Sequence, residues 1–370
     1  MKKLVILILI IIGFAVVANT TSEPTQVVVV ADAQNPFTRE EMDTTPVSSD
    51  MSASATILDT LADLSFKPTF MSGQHVGHAT DDLTTKFEHN ITKLHNETGL
   101  YPKIFDLGYG FGSVKEDLHD INTIAVDHWN RDGLVTINFT PNNPFTNNGL
   151  YDSSSSDFAD IFTPDTEPYT RWRDDLRKVA DGLEELEAAG VVVLIRPLHE
   201  MNGDWFWWSW ENGQPISSET FQKLWQGIFE YFTNERGLNN LIWVYSPNST
   251  YGSQYRPVLE LYPGDDLVDI LAVDYYRDDL SELNQTGDLD ELISKQKPIG
   301  LAEIGSLSIS GFNNQTIATD IQQHFPAVSF AVHWSSYPIF FGLTQKDRSI
   351  IDNDEATAYM QNEGVVTVTK

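Results

Sequence analysis

Residues 168–199, PYTRWRDDLRKVADGLEELEAAGVVVLIRPLH, join a helical pattern to a nearly continuous apolar run. In the first part, apolar side chains recur at helical spacing and form one stripe: Trp172, Leu176, Val179, Leu183 and Leu186. Gly190 then suits the left-handed position that commonly ends a helix. The run over 191–199 is typical of a parallel strand that is buried on both faces. The stretch therefore predicts a helix followed by a strand of an α/β fold.

The same alternation continues in both directions from this unit. Eight apolar runs of strand length are separated by longer segments, such as the helical pattern over 218–236. The runs cover 67–73, 103–110, 134–139, 191–199, 240–246, 268–276, 298–305 and 328–334. Eight strands that alternate with helices predict a single (β/α)8 TIM barrel, to which we assign residues 61–370. A doubly wound open sheet is the alternative, but it usually carries an early glycine-rich nucleotide loop, and this sequence has none.

The first 60 residues differ in composition from the rest. Lys2 and Lys3 precede an apolar run from Leu4 to Val17, which is the layout of a secretory signal peptide over residues 1–18. An uncleaved anchor is the alternative, although a run of about 15 residues is shorter than the roughly 20 that span a bilayer. Residues 19–60 are acidic and rich in Ser and Thr, which predicts a flexible linker. We therefore expect a secreted protein without membrane contact beyond the signal peptide.

The charge balance and the absence of cysteine exclude several functions. The chain carries 53 acidic and 23 basic residues, so its formal net charge is −30. Such a surface repels phosphate groups and argues against nucleic-acid partners, and it disfavours acidic polysaccharides. The 370 residues include no cysteine, which excludes disulfides and thiolate chemistry. We expect a monomer that acts on a neutral partner.

Polar residues cluster where the predicted strands end, which is where TIM barrels carry their chemistry. They are Gln74 and His75, then Arg196, His199, Glu200 and Asn202, then Asp274, Tyr275 and Tyr276, then Glu303, and finally His333 and Trp334. Glu200 and Glu303 are the leading pair, because two carboxylates across a barrel mouth can flank a glycosidic bond. One would protonate the leaving oxygen, and the other would attack the anomeric carbon or activate a water. The alternative is that both form buried ion pairs with Arg196 and a neighbour.

An aromatic run, WFWWSW over 205–210, follows Glu200 closely. Flat aromatic rings suit the apolar faces of sugars, and the indole N–H remains free to donate a hydrogen bond. The alternative is a hydrophobic plug that caps the barrel. The run favours a carbohydrate substrate.

Motifs for metals and cofactors fail on their spacing. His199 and Glu200 do not begin an HExxH zinc helix, because position 203 is Gly203. His75 and His78 form an HxxH pair for which no clear third ligand is placed. We therefore expect neither a metal nor an organic cofactor.

The segment RPLHEMNGDWFWW (196–208) resembles the acid/base motif of glycoside hydrolase family 26, a clan A family of β-mannanases and related β-glycanases. Supporting matches in the same order are SGQH (72–75), LIWVYSP (241–247), VDILAVDYY (268–276), PIGLAEIGS (298–306) and Trp334. The resemblance implies a retaining endo-β-glycanase with Glu200 as acid/base and Glu303 as nucleophile. Its implied substrate is β-1,4-mannan, with β-1,3-1,4-glucan or β-1,3-xylan as alternatives. A non-catalytic carbohydrate-binding barrel is the alternative from another class.

The resemblance also implies a set of substrate-binding and positioning residues. They are His75, Arg196, His199, Asn202, Trp205, Tyr276 and Trp334. Among them, Tyr276 would hydrogen-bond the nucleophile, His199 would contact the sugar or position the nucleophile, and Trp334 would form the floor of the sugar site. Trp205 would line the same site, and Arg196 with Asn202 would hold the acid/base in place.

The end of strand three departs from the family pattern. Mannanases of the family usually carry Trp-His before an Asn-Pro, and the matching stretch here is Phe139-Thr140 before PNNP at 141–144. Thr140 therefore stands where a sugar-contacting His is expected. This departure leaves the identity of the neutral β-glycan open.

Overall fold

Eight parallel strands form a closed barrel in this computed structural model, which describes residues 34–49, 51–155, 157–251 and 255–369. The strands are β1 Phe70–His78, β2 Ile104–Phe111, β3 Leu134–Thr140, β4 Val193–Pro197, β5 Leu241–Tyr245, β6 Ile270–Tyr276, β7 Ile299–Gly305 and β8 Val328–His333. Each strand pairs with the next along the chain. Pairing of β8 with β1, from Met71↔Phe330 to Gln74↔His333, closes the ring. The predicted TIM barrel is confirmed.

Most of the described helices pack around the barrel in the connections between strands, and the first and the last lie before β1 and after β8. The described α-helices are α1 Ser52–Leu64, α2 Leu83–Phe87, α3 Lys93–Thr98, α4 His119–Trp129, α5 Glu167–Ala188, α6 Ser218–Glu230, α7 Asp288–Ile293, α8 Asn314–His324 and α9 Ala356–Met360. The helix predicted over 168–189 is α5, which begins after Thr166 because the threonine hydroxyl accepts a hydrogen bond from the backbone N–H of Tyr169. Between β5 and β6 the described chain forms a 3-10 helix, Asp265–Leu267.

Shorter strands and turns lie outside the eight barrel strands. Two-residue strands pair at Trp210–Glu211 and Gln214–Pro215, and a hairpin pairs Tyr337–Ile339 with Thr344–Lys346. The last strand, Val365–Val368, pairs with the beginning of β1 and with Tyr101–Pro102. The remaining turns are 3-10 or π: Arg39–Glu41, Glu88–Thr92, Phe158–Phe162, Trp207–Ser209, Tyr231–Glu235 and Phe340–Gly342.

The apolar core has two layers, and the inner one closes the N-terminal end of the barrel. Large buried rings such as Trp172 and Trp225 fill the layer between strands and helices. Inside the barrel, a second cluster joins side chains of the strands to α1 residues: Ile57, Leu58, Leu61 and Leu64 pack with Met71, Ile104, Leu134, Leu194 and Phe330. Ile104 and Leu134 begin their strands, so α1 lies across the N-terminal end. The C-terminal end remains available for a ligand.

The predicted linker over 19–60 needs correction in its second half. Residues 52–60 belong to α1, because its apolar side chains gain free energy by covering the barrel interior. The segment before α1 is also bound to the barrel domain. The backbone N–H of Val47 donates to the carboxylate of Asp269 at 2.7 Å, and Lys297 Nζ lies 2.8 Å from the carboxylate of Asp43. The predicted signal peptide, residues 1–18, lies outside the described residues. Within the described ranges, no helix has both the length and the apolar character needed to cross a membrane.

Candidate active site

Glu200 and Glu303 meet at the C-terminal end of the barrel. Glu303 lies within β7, and Glu200 follows β4 in a loop where Leu198 and Glu200 both have positive φ, 48° and 54°. This backbone conformation costs a non-glycine residue on the order of 1 kcal/mol. The backbone N–H of Glu200 donates to the carbonyl of Ser246 at 2.8 Å, which holds the loop against β5. One carboxylate oxygen from each of Glu200, Glu303 and Asp274 lies within 4.8 Å of the other two.

The carboxylate of Glu303 is surrounded by donors. Arg196 Nη2 donates to Oε1 at 2.5 Å, and the hydroxyl of Tyr276 donates to Oε2 at 2.5 Å. Burial alone would lower the pKa of Arg196, but the charges of Glu303 and Asp274 raise it, so the guanidinium stays charged. Burial and the charge of Glu303 raise the pKa of Tyr276 well above its usual range, so the phenol remains a donor. Charged hydrogen bonds of this kind stabilise a carboxylate anion.

Glu200 has the opposite environment. Burial raises the pKa of Glu200 well above its usual range, and the negative charge of Glu303 raises it further. Trp205 Nε1 donates to Oε2 of Glu200 at 2.8 Å, a hydrogen bond that favours the anion and offsets part of this rise. Two carboxyl groups whose surroundings push their proton affinities apart are suited to different tasks in one reaction.

Arg196 contacts a different glutamate from the one implied by the resemblance. Its guanidinium donates hydrogen bonds to Glu303 and to Asp274, the latter at 3.1 Å, and within the described part of the chain it makes no hydrogen bond or ion pair with Glu200. The expectation that Arg196 holds the acid/base is therefore corrected, because β4, β6 and β7 place their inward side chains together on one side of the barrel. Among the described residues, the side-chain hydrogen bonds of Asn202 do not include Glu200 either. Its amide bonds the carbonyls of Asn248 and Arg256 at 2.8 and 3.0 Å, which fastens the loop of Glu200 to the loop after β5.

Two buried aspartates complete the charge network: Asp274, which was predicted among the strand-end residues without a role, and Asp106, which was not predicted. Asp274 accepts a hydrogen bond from Ser246 at 2.6 Å, and burial together with the charge of Glu303 raises its pKa well above the usual range. Asp106 accepts from His75 Nδ1 at 2.7 Å and lies 3.8 Å from Arg196. Burial would raise the pKa of Asp106, but His75 and then Arg196 outweigh it and lower the pKa. A lone acid inside the apolar run of β2 was the signal that could have revealed Asp106.

Of the remaining predicted residues, His75, Trp334 and His199 line the mouth of the barrel, and His333 does not. The rings of His75 and Trp334 stack with centroids 3.9 Å apart and planes at 12°, so both belong to the site. His333, by contrast, packs on Phe312 and Tyr359 in the outer layer. His199 Nε2 lies 3.7 Å from Glu303, and burial followed by the charge of Arg196 lowers the pKa of His199 well below its usual range. His199 therefore offers a neutral ring beside Glu303.

The aromatic run over 205–210 contains both predicted kinds of residue, rings that plug the barrel and a ring that lines the cavity. Trp207 and Trp208 are buried, and their indole N–H groups donate to the carbonyls of Pro141 and His199 at 3.1 Å. These rings form the plug. Trp205 is half-buried and lines a cavity of about 280 Å³, whose other walls include Glu200, Tyr255, Tyr276, Arg277, Leu307 and Arg348.

Thr140 does not contact this cavity. It is buried, and its hydroxyl donates to the carbonyl of Gly110 at 2.5 Å. The backbone N–H of Gly112 in turn donates to the carbonyl of Thr140 at 2.8 Å. Thr140 thus fixes the turn that carries the half-exposed ring of Phe111.

The carboxylates of Glu200, Asp274 and Glu303 are spaced closely enough to hold a cation. Their oxygens already accept hydrogen bonds from Trp205, Arg196 and Tyr276, so a metal would have to displace these donors. Within the described ranges, His75 and His78 belong to no group of three potential ligands.

Comparisons with known proteins agree with this architecture. The family model described as Glycosyl hydrolase family 26 matches residues 47–369. A protein named mannan endo-1,4-beta-mannosidase A and B, from Caldalkalibacillus mannanilyticus, is 39% identical over 64% of this chain and 48% of its own length. The chain thus spans about half of that relative. A mannan endo-1,4-beta-mannosidase from Bacillus subtilis is 34% identical over 71% of this chain and 74% of its own.

Solved structures show the same likeness. A Bacillus subtilis mannanase superimposes with a TM-score of 0.75 and 28% identity, covering 88% of this chain and 95% of its own. The family resemblance predicted from the sequence is confirmed. The chain belongs to glycosyl hydrolase family 26.

Proposed function

We propose that this chain is a secreted endo-β-1,4-mannanase that hydrolyses mannan with retention of configuration at the anomeric carbon. The observation that carries the proposal is the pair of carboxylates, Glu200 and Glu303, with oxygens within 4.8 Å and opposite environments. Retaining glycosidases hold their two carboxyl groups about 5–5.5 Å apart, whereas inverting enzymes need roughly 6.5–9.5 Å to admit a water. The spacing therefore supports the retaining route.

In the first step, Glu303 acts as the nucleophile. Its carboxylate attacks the anomeric carbon while the glycosidic C–O bond breaks, and the leaving oxygen takes the proton of Glu200. Arg196 and Tyr276 keep Glu303 anionic and oriented before attack. The raised pKa of Glu200 keeps its carboxyl protonated near neutral pH, as a general acid requires.

In the second step, Glu200 acts as a base. It removes a proton from a water that attacks the anomeric carbon, and the ester bond to Glu303 breaks. Once Glu303 is bound to the sugar, its negative charge is gone, and this loss lowers the pKa of Glu200 toward the value that a base needs. The same closeness of the two groups thus supports both steps.

The substrate and the compartment are proposed on separate grounds. The relatives named mannan endo-1,4-beta-mannosidase support a β-1,4-mannan substrate. Trp205, which donates to Glu200, and Trp334, which stacks on His75, are aromatic rings at this end of the barrel, and such rings suit the apolar faces of neutral sugars. The pattern of residues 1–18 supports export.

Azide rescue of two variants tests the assignment of roles. In Glu303→Ala, azide can occupy the space of the missing carboxylate and attack the anomeric carbon of an aryl β-mannoside, so we expect an α-mannosyl azide. In Glu200→Ala, azide should instead attack the sugar bound to Glu303 and give the β-azide. Glu97→Gln, an exposed glutamate, is the control and should retain full activity. Unchanged hydrolysis by Glu303→Ala, or azides of the opposite configuration, would contradict the roles.

Reducing-sugar release on a substrate panel tests the specificity. We expect residues 19–370 to hydrolyse glucomannan and galactomannan and to leave lichenan, β-1,3-xylan and carboxymethyl-cellulose intact. Activity on lichenan or xylan alone would refute the mannanase proposal. Binding of the mannans without hydrolysis would favour the non-catalytic barrel.

A further inference from the structure

An exposed apolar surface lies beside the candidate active site. We name it the rim patch and define it by Leu307, Ile309, Phe341 and Leu343. Phe341 and Leu343 are 107% and 87% exposed, and the other two are about half exposed. These residues come from the loops after β7 and β8, at the same end of the barrel as Glu200. Exposed apolar side chains in a cluster mark an interaction surface more often than isolated ones do.

Backbone hydrogen bonds hold the rim patch in place. Phe341 and Leu343 lie at the tip of the hairpin that pairs Tyr337–Ile339 with Thr344–Lys346. The backbone N–H of Asp347, just after the hairpin, donates to the carbonyl of Ile309 at 2.9 Å. Phe341 adopts a positive φ of 57°, a conformation that costs a bulky residue free energy and that occurs more often at ligand sites.

The rim patch is continuous with the cavity of the candidate active site. Leu307 lines that cavity together with Glu200 and Trp205. Arg348, which also lines it, places its guanidinium 4.2 Å from the ring centroid of Tyr276 and 5.2 Å from that of Tyr337 at the base of the hairpin. Contacts therefore run from the hairpin through Arg348 and Tyr276 to Glu303.

We propose that the rim patch and Arg348 form a distal subsite, which holds a polysaccharide chain beyond the sugars at the cleaved bond. The proposal rests on the proposed function for the class of ligand, a neutral β-linked glycan. The ring of Phe341 and the aliphatic groups offer an apolar face for sugar rings. Arg348 supplies N–H donors for sugar hydroxyls, and its buried Nε has no hydrogen-bond partner within the described part of the chain.

A second copy of the chain fits this surface less well. Self-association would bring together two molecules that each carry a net charge of −30, and this repulsion opposes contact. A stable interface buries about 800 Å² on each partner, which is more than four side chains supply. A neutral glycan meets no such repulsion.

The geometry predicts that substrate length matters. Three residues of each hairpin strand, at about 3.4 Å rise per residue, place the tip roughly 10 Å from its base. A long chain that leaves the cavity can reach the tip, whereas a short oligosaccharide that fills only the sugar sites at the cleaved bond cannot.

Binding without turnover is the direct test. In a Glu303→Gln background, retardation in a native gel that contains galactomannan reports affinity for the polymer. Phe341→Ala should weaken this affinity about fivefold, the loss expected for one aromatic contact, and Arg348→Met should weaken it to a similar extent. Phe66→Ala is the matched control, because Phe66 is also exposed but follows α1 at the closed end of the barrel. Equal retardation of the Phe341→Ala and Phe66→Ala variants would overturn the proposal.

Steady-state kinetics and the molecular mass in solution distinguish a distal subsite from a dimer interface and from failure of the proposed function. In the otherwise unchanged enzyme, Phe341→Ala should raise KM for the polymer and leave kcat and the cleavage of a short manno-oligosaccharide unchanged. A dimer seen by sedimentation equilibrium and abolished by Phe341→Ala would assign the rim patch to a second copy and overturn the distal subsite. If the unchanged enzyme hydrolyses no mannan, the proposed function fails, while gel retardation across the polysaccharide panel still tests the rim patch.

Discussion

Glu200 and Glu303 have the same side chain, but their neighbours give the two carboxyl groups different proton affinities. Arg196 donates to one carboxylate oxygen of Glu303 and Tyr276 to the other, whereas the carboxyl group of Glu200 is buried and, among the described residues, receives a hydrogen bond from Trp205 alone. An anion is stabilised at the first position, and a proton is retained at the second. This difference has consequences for stability and for the pH profile.

Glu200→Gln should stabilise the protein at alkaline pH. The pKa of Glu200 is raised on folding, so its contribution to stability is full below the unfolded pKa and is lost as the pH rises through the folded pKa. Glutamine is neutral at every pH and avoids this loss. We expect calorimetry at about pH 8.5 to show a higher Tm for the variant, by about 2–4 °C for each 1 kcal/mol gained in the free energy of unfolding. At about pH 5.5, where Glu200 keeps its proton, the gain in Tm should be smaller. An equal gain at both pH values would contradict the raised pKa.

Trp205→Phe should move the alkaline limit of activity to higher pH. The indole N–H of Trp205 stabilises the Glu200 anion and thereby lowers its pKa. Phenylalanine keeps an aromatic face but cannot donate, so Glu200 should hold its proton to a higher pH. The measurement is kcat/KM against pH, which reports groups of the free enzyme. If the alkaline limb of the pH profile stays in place or moves to lower pH, the ionisation of Glu200 does not set that limb.

The sequence located both glutamates but could not identify their partners. Glu200 and Glu303 were predictable because a carboxylate at the end of a buried strand has no structural reason to be there. The partner of Arg196 depends on which strands bring their inward side chains to the same level, and this three-dimensional relation is absent from linear spacing. Asp106 was not predicted either, although a lone acid in the middle of an apolar run is a signal that could have revealed it.

At the scale of elements, the eight strands were predictable and α1 was not. The barrel strands are long apolar runs, whereas α1 has four large apolar residues separated by Ala, Ser, Thr and Asp, and it follows a segment that resembles a linker. Its structure depends on burial against the barrel interior, a tertiary contact that outweighs local composition. The position of β1 was also only partly predicted, because Gln74 and His75 lie within the strand, which ends at His78.

Leu61→Ala should show that α1 is part of the catalytic domain. Leu61 is fully buried in the inner cluster, and truncation of such a residue costs about 2–5 kcal/mol. Urea unfolding should therefore show a lower midpoint with an unchanged slope. Thr60→Ala, at an exposed position of the same helix, is the control. If both variants unfold at the same midpoint, α1 does not close the barrel.

At the scale of the whole molecule, the net charge of −30 opposes compaction. Arg196 and its carboxylate partners are buried and are screened little by ions, whereas the surface acids are screened strongly. Salt should thus relieve surface repulsion without weakening the active-site network. This contrast predicts a protein that becomes more stable with salt and keeps its activity.

Raising the salt concentration from about 0.05 M to about 0.5 M should raise Tm by several degrees, because the Debye length falls below the spacing of most surface charges. Differential scanning calorimetry in NaCl and in KCl checks the prediction, since screening by either salt should give the same rise. A falling Tm would mean that surface ion pairs such as Arg173 with Glu235 outweigh the repulsion.

The central claim is that Glu303 forms a covalent bond to the sugar while Glu200 transfers the proton, and the configuration of the first product tests it most directly. Proton NMR of a manno-oligosaccharide mixed with the enzyme resolves the anomeric signals before mutarotation mixes them. Two displacements at one carbon predict that the β anomer appears first and that the α anomer grows in only later. An α anomer that appears first would contradict the claim, because it would require direct attack by water.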